Sequence, residues 1–426
     1  VKLKANEVFT PGTFPVHTYV TRSTTDIEQT LRDSIDTPGQ IVSISGPSKS
    51  GKTVLVERVV TKDLILAITG ASISKPSDVW DRVLDSMDTP TSIVSSKENS
   101  LSVGGEVEAK GGASIPFLAK GEVGLTGKID GSSSTTTTVQ RGRRGLEQVV
   151  AEIANSDFVV LLDDFHYMPR DIQSEVANNL KEAVRRGIKI ITASVSHRGD
   201  DVVRANPELR GRVRSVDLSY WDSLELKEIA RVGFEKLNAH IEDDVINVFC
   251  QECAGSPQLM QSICLHTCFH YGIREAHQGD EPLVLNPKKK EIAQILKKTS
   301  TTTDFRSLVD VLDAGPVTRG IDRKTYKFSD GGEGDVYSAL LKAVASDPPQ
   351  LSFSYDELKN RTEQICSGDA PTGSSIISSC AQMARLSVEK FPKERTIDWD
   401  SQKFVFDLPE PYLMFYLRWS DRVKKN

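Results

Sequence analysis

Short apolar runs alternate with amphipathic stretches through the first half of the chain. Ile41–Ser45, Leu64–Ile68, Phe158–Leu162 and Ile188–Ala193 are β-branched or wholly apolar runs of strand length. Val213–Leu218 closes the series as a last strand. Between them, Thr25–Ile35, Val54–Thr61, Ser77–Met87, Gly145–Asn155 and Arg170–Arg186 read as helices. Strands alternating with helices predict an α/β domain over residues 1–218, a parallel sheet covered on both faces.

From Ser223 to Lys298 the pattern is helical, which predicts a small helical lid over 219–300. The polar run Thr299–Asp304 opens an expected linker, 301–334, that ends at Gly331-Gly332-Glu333-Gly334. Beyond it, Asp335–Ser346, Tyr355–Cys366 and Ser374–Phe391 read as three helices. Thr396–Asp400 and Lys403–Asp407 then alternate about a two-residue turn at Ser401-Gln402, the pattern of a β-hairpin. Three helices followed by a hairpin predict a winged helix over 335–426.

One stretch exceeds what the α/β unit needs. Leu101, Val103, Val107 and Ala109 alternate with Ser102, Glu106, Glu108 and Lys110, and the alternation resumes after Gly111-Gly112 as Ile115, Phe117, Ala119, Val123, Leu125 and Ile129. Period two carried through a glycine turn predicts an inserted amphipathic β-hairpin at about 99–138. Its apolar face needs a cover, because a lone hairpin is unstable in water. The cover is the protein's own surface, the hairpins of neighbouring copies, or a bilayer touched through residues 100–130.

Composition narrows the class. With 426 residues the chain has room for two or three cored domains, and 38% hydrophobic with 26% charged residues is ordinary for a globular protein. A net charge of −6 supplies no global attraction for nucleic acid or anionic lipid, so such contacts need a local patch. No run of about eighteen apolar residues and no signal-peptide core are present, which reads as cytoplasmic. Cys250, Cys253, Cys264 and Cys268 have spacings that superficially suit zinc, but a helix break at Ala254–Pro257 and apolar neighbours favour buried thiols.

The candidate chemistry begins at Gly46-Pro47-Ser48-Lys49-Ser50-Gly51-Lys52-Thr53, which reads G-x-x-x-x-G-K-[ST] between a predicted strand and a predicted helix that opens at Val54. Backbone N–H groups of such a turn cradle phosphates; Lys52 reaches the outer phosphates and Thr53 holds Mg2+. Leu161-Leu162-Asp163-Asp164 has the form of the second nucleotide motif, with Asp163 as metal ligand and Asp164 polarising the attacking water. Ser194, ahead of Thr192 and Ser196, is the hydroxyl expected to meet the outer phosphate. Arg212, ahead of Arg210, is placed to reach a neighbouring copy's nucleotide just before the last strand.

Together these residues resemble the P-loop ATPases of the AAA+/STAND lineage over roughly residues 15–420. The resemblance implies a role for Arg22 beside the nucleotide, from Tyr19-Val20-Thr21-Arg22, although Thr21 stands where that motif has glycine. It also implies that Pro257, within Gly255-Ser256-Pro257, packs on the adenine. Two departures matter: Gln258 stands where many relatives carry a lid arginine, and the acidic pair is Asp-Asp rather than Asp-Glu. Both look more like slow STAND switches than fast motors.

The resulting expectation is an ATP- and Mg2+-binding, slowly hydrolysing switch that homo-oligomerises with nucleotide, in a bacterial regulatory or anti-phage setting and acting through a separate effector protein. The alternative is a DNA-binding ATPase of the transposition or origin-recognition type. The helix at Ser374–Glu389 offers Arg385 as its lone basic side chain, which favours a regulatory winged helix over a reader of the major groove.

Overall fold

The computed structural model describes residues 2–22, 26–88, 92–96, 138–195, 201–317, 323–392 and 396–423. Its first part runs α1 (Ala5–Val8), α2 (Ile27–Asp36), β1 (Ile41–Ser45), α3 (Lys52–Val59), β2 (Ile65–Thr69), α4 (Asp78–Ser86) and β3 (Ser92–Ser96). It continues with β4 (Thr138–Gly142), α5 (Leu146–Ile153), β5 (Val159–Asp163), α6 (Arg170–Arg185), β6 (Lys189–Ser194), α7 (Asp201–Ala205) and β7 (Val213–Asp217).

Five strands form one parallel sheet in the order β2-β5-β6-β1-β7. Successive side chains of each strand point to opposite faces, so both faces need apolar cover. Ile41, Ile68, Val160, Leu162 and Ile190 pack under α4, α5 and α6 on one side. Val42, Ile44, Val159, Leu161 and Ile191 pack under α2 and α3 on the other. The fold is α/β, a parallel five-stranded sheet with helices on both faces.

Outside that sheet, β3 and β4 pair antiparallel from Ser92↔Gly142 to Ser96↔Thr138. They bring the two ends of the inserted segment together, a pairing the sequence pattern did not single out. The alternating stretch 101–129 lies outside the described residues, as does Ser196.

The expected lid region comprises α8 (Ser223–Lys236), β8 (Ala239–Ile241), α9 (Asp243–Glu252), α10 (Pro257–His270), β9 (Leu283–Leu285) and α11 (Lys289–Ser300), with β8 and β9 parallel. Cys250, Cys253, Cys264 and Cys268 are buried in its core. So are Ala5, Val8 and Phe9 from the start of the chain, which corrects the assignment of those residues to the α/β unit. Phe9 fits because Gly233 has no side chain: a Cβ there would lie 2.2 Å from the Phe9 ring.

The last part holds α12 (Arg306–Ala314), β10 (Tyr326–Lys327), β11 (Glu333–Gly334), α13 (Val336–Ala345), β12 (Ser352–Ser354), α14 (Tyr355–Ile365) and α15 (Gly373–Lys390). It ends with β13 (Asp398–Asp400), β14 (Val405–Asp407) and α16 (Pro411–Trp419). The expected linker 301–334 is not one: Phe305, Leu308, Leu312, Tyr326 and Phe328 belong to this part's core. Short amphipathic helix α12 is hidden in sequence by the polar run before it.

The hairpin turn is also longer than expected, since Asp400 pairs with Val405. The Asp400 carboxylate accepts from the N–H groups of Gln402 (2.8 Å) and Lys403 (3.1 Å), and Phe404 takes a left-handed φ of 52°. That local capping outcompetes a two-residue turn. Consequently Phe404 is 45% exposed. Among the described residues no helix is long and apolar enough to cross a membrane.

Candidate nucleotide site

The loop between β1 and α3 is built by two glycines. At Gly46 a Cβ would lie 2.7 Å from the Leu218 carbonyl oxygen, so only glycine lets the chain leave β1 beside β7. Gly51 adopts φ 97° and turns the chain into α3 at Lys52. Lys49 is left-handed as well, at φ 59°. The first N–H groups of α3 lack acceptors within the helix and point into the loop's concavity, where an anion is favoured.

Lys52 lies along this concavity. Its Nζ donates to the carbonyl oxygens of Gly46 (2.9 Å) and Pro47 (2.8 Å). Burial lowers its pKa, opposed in part by the carboxylates of Asp163 and Asp164. Ser50 is 1% exposed, and its Oγ has no hydrogen-bond partner among the described residues.

Asp163 is the last residue of β5, in register with Thr69 of β2. The Thr53 hydroxyl donates to its Oδ2 at 3.4 Å, and its Oδ1 accepts from the Asp164 N–H at 2.9 Å. Asp164 turns left-handed at φ 55° and lines the same cavity. A hydroxyl and a carboxylate converging beside a lysine-bearing anion cradle fit a divalent cation with a polyphosphate. Ser194 sits beneath the loop, paired with Ser45, its carbonyl accepting from Gly46 N at 3.2 Å. It is buried and does not line the cavity, so contact between its hydroxyl and a phosphate is not what this geometry offers.

The cavity above the loop has a volume of about 420 Å³. Ser48, Lys49, Thr53 and Val54 line one wall; Pro257 and Gln258, at the start of α10, line another. Phe14 and Tyr19, stacked at 5.8 Å, contribute an aromatic wall from the N-terminal segment. That segment is tied to the lid, because Gln261 donates to Thr18 Oγ1 (2.7 Å) and accepts from Thr10 N (3.2 Å). Arg22 lines the cavity too, but its guanidinium is occupied. It makes two bonds of 3.0 Å to Glu225 and further bonds to the carbonyls of Ser219 (3.0 Å) and Tyr220 (3.2 Å). Arg22 therefore straps the lid to the α/β unit rather than presenting free donors to a ligand.

Arg212 stands elsewhere. It precedes β7, and its carbonyl accepts from Ile41 N at the start of β1, whereas the P-loop follows the end of β1. Arg212 and Arg210 are exposed on the edge of the sheet.

Three contributors escaped the sequence reading. Trp221 donates its indole N–H to the Ser50 carbonyl at 2.8 Å. Glu225 receives Arg22. Glu410 of the last part faces Lys49 in the P-loop at 3.9 Å. None lies within a local motif; only the proximity of Trp221 to the end of β7 was a signal.

No protein-family model and no curated protein matches this chain. Solved structures do. Cdc6p from Pyrobaculum aerophilum is similar at 14% identity over 98% of each chain, with a TM-score of 0.42. A Walker-type ATPase of Pyrococcus abyssi is similar at 13% identity, covering 93% of this chain and 95% of the other, with a TM-score of 0.48. The ORC2 protein of Aeropyrum pernix is similar at 12% identity over 99% and 98% of the two chains, with a TM-score of 0.46. At these identities the likeness is one of fold.

Proposed function

We propose that this protein is a nucleotide-controlled switch of the AAA+/STAND kind, which binds ATP with Mg2+, hydrolyses it slowly and self-associates in its nucleotide-bound form. The observation that carries this reading is that the α/β unit and the lid together line one cavity, and the last part contacts its P-loop. Lys52, Thr53 and Asp163 come from the α/β unit, Pro257 from the lid, and Glu410 reaches Lys49 from the last part.

Lys52 and the loop N–H groups neutralise the phosphates. Thr53 and Asp163 are the residues that would hold Mg2+, which when bound draws charge from the phosphate oxygens. Asp164 orients and polarises the attacking water, and a neighbour's Arg212 supplies positive charge as the bond breaks. Pro257 packs against the base.

The last part, in which α13, α14 and α15 accompany the three-stranded antiparallel sheet β12-β14-β13, is read as a winged helix with a regulatory role. Two basic side chains of this part, Arg361 and Arg418, are spent inside the protein. Arg361 is buried and donates to the carbonyls of Ser346 (3.0 Å) and Pro348 (2.6 Å). Arg418 is buried against Glu252. Arg385 pairs with Glu389 on its own helix at 3.7 Å. That leaves α15 little charge with which to read a groove.

The test is light scattering of the protein with ADP, ATP and a non-hydrolysable ATP analogue, alongside phosphate release. Larger assemblies with ATP or the analogue than with ADP, and turnover well below 1 s⁻¹ in order of magnitude, are expected. One unchanging size in all three states would remove the switch reading.

A further inference from the structure

The Ser50 carbonyl is held by the indole N–H of Trp221 at 2.8 Å. In a planar trans peptide the carbonyl and the next residue's N–H point in opposite directions. A donor fixed on the Ser50 oxygen therefore aims the Gly51 N–H away from the indole. Among the described residues that N–H has no acceptor, although Ser50 N, one residue earlier, donates to Pro47 O at 3.3 Å. Gly51 also carries the left-handed φ of 97° that turns the loop into α3.

Trp221 is itself anchored. The Arg22 guanidinium lies 5.4 Å from its ring centroid, within cation–π range. Arg22 is fixed in turn by Glu225, the pair having side chains 10% and 4% exposed. The Trp221 backbone N–H donates to the Gly255 carbonyl at 3.3 Å, just before α10. The indole thus takes its place from the lid and hands it to the P-loop.

We infer that Trp221 is a positioning residue for the phosphate site: its N–H sets the Ser50–Gly51 peptide so that the Gly51 N–H meets a phosphate of a nucleoside di- or triphosphate. This rests on the nucleotide reading above. Arg22 acts through Trp221, and lid movement changes the donor geometry of the P-loop without any lid residue touching phosphate.

Calorimetric titration of wild type and Trp221→Phe with ATP, ADP and adenosine tests this. The variant keeps an aromatic ring and loses the N–H. Affinity for ATP and ADP should fall roughly tenfold, the worth of one hydrogen bond, while adenosine affinity stays unchanged. Equal loss for adenosine would assign Trp221 to packing and overturn the inference, as would unchanged ATP binding. Wild type that binds none of the three would overturn the nucleotide reading itself. Benzothienylalanine at position 221, which puts sulfur where the N–H was in a ring of the same shape, gives the same comparison should the phenylalanine variant not fold.

Discussion

The hydroxyl of Thr53 lies 3.4 Å from Oδ2 of Asp163, although 110 residues and a whole strand separate them. Parallel pairing brings the C-terminal ends of β1, β5 and β6 to one edge of the sheet, which is why the two groups meet. If they share a cation, either Thr53→Ala or Asp163→Asn should remove the Mg2+ dependence of ATP binding. Losing one charge-assisted contact is worth about 1.5–3 kcal/mol, or roughly ten- to a hundredfold in affinity. Titration of ATP with Mg2+ and with EDTA measures it, and a variant that keeps the full Mg2+ effect would refute the shared site.

Lys52 gives the site a pH signature. Burial puts its pKa below the usual lysine value of 10.5. Between that lowered value and 10.5 the unfolded chain binds more protons than the folded one, so stability of the free protein rises with pH there. ATP places negative charge beside Nζ and restores the proton, so ATP affinity falls as pH rises through the same alkaline window. Lys52→Met should abolish both slopes, measured as the difference from wild type in thermal unfolding and in nucleotide titration.

Asp164 tests turnover apart from binding. Its N–H bonds to Asp163, and its backbone is pinned beside Gly70, where a Cβ would sit 2.4 Å from the Asp164 carbonyl oxygen. Asp164→Asn keeps size and shape but loses the base. ATP affinity should hold, while hydrolysis falls by on the order of 10²–10⁴-fold. Equal hydrolysis in the variant would mean that Asp164 does not polarise the water.

Arg212 cannot serve its own nucleotide. It stands at the start of β7, and the length of β1, roughly 16 Å at about 3.3 Å per residue, separates it from the P-loop beside it. Arg212→Ala should therefore lower hydrolysis, by on the order of 10³-fold for an arginine finger, without weakening ATP binding. Mixing it with Lys52→Met, which keeps Arg212 but lacks the loop lysine, should restore part of the activity. No recovery on mixing would argue against action between copies.

Arg418 and Glu252 join the last part to the lid. Arg418 makes bonds of 2.8 and 3.0 Å to Glu252, one of 2.8 Å to the Ala345 carbonyl and one of 2.7 Å to Asp347. Trp419 adds a 2.8 Å bond to the same Glu252 carboxylate. Arg418→Met leaves a buried carboxylate unmatched and should destabilise by about 3–5 kcal/mol. Arg418→Met with Glu252→Leu should recover most of that loss. Urea unfolding measures both, and equal destabilisation by the single and double variants would contradict a paired charge.

The P-loop, the acidic pair and every strand of the central sheet were legible because each rests on local signals: β-branched runs, glycines with special dihedrals, and carboxylates at a strand end. Helix α12 was lost because its apolar positions follow a polar Ser/Thr run. The N-terminal segment was misassigned because Phe9 finds its partner, Phe234, only in three dimensions, at 5.1 Å across Gly233. Arg22 was expected at the nucleotide, yet Glu225 claims its guanidinium. Nothing near Arg22 in sequence announces a carboxylate 203 positions away.

The sequence by itself determined that this chain builds a glycine-bounded cradle on a parallel sheet, because strand period, helix period and the loop are all properties of a few consecutive residues. Tertiary structure alone decided which distant side chains surround that cradle. Trp221 reaches Ser50 and Glu410 faces Lys49 because packing the lid and the last part against the sheet carries them there. Phe415 enters the lid's core while Leu413, Met414 and Leu417 on the same helix enter the core of the last part. Apolar spacing marks such a helix as buried; the choice of partners follows from the packed surfaces it meets.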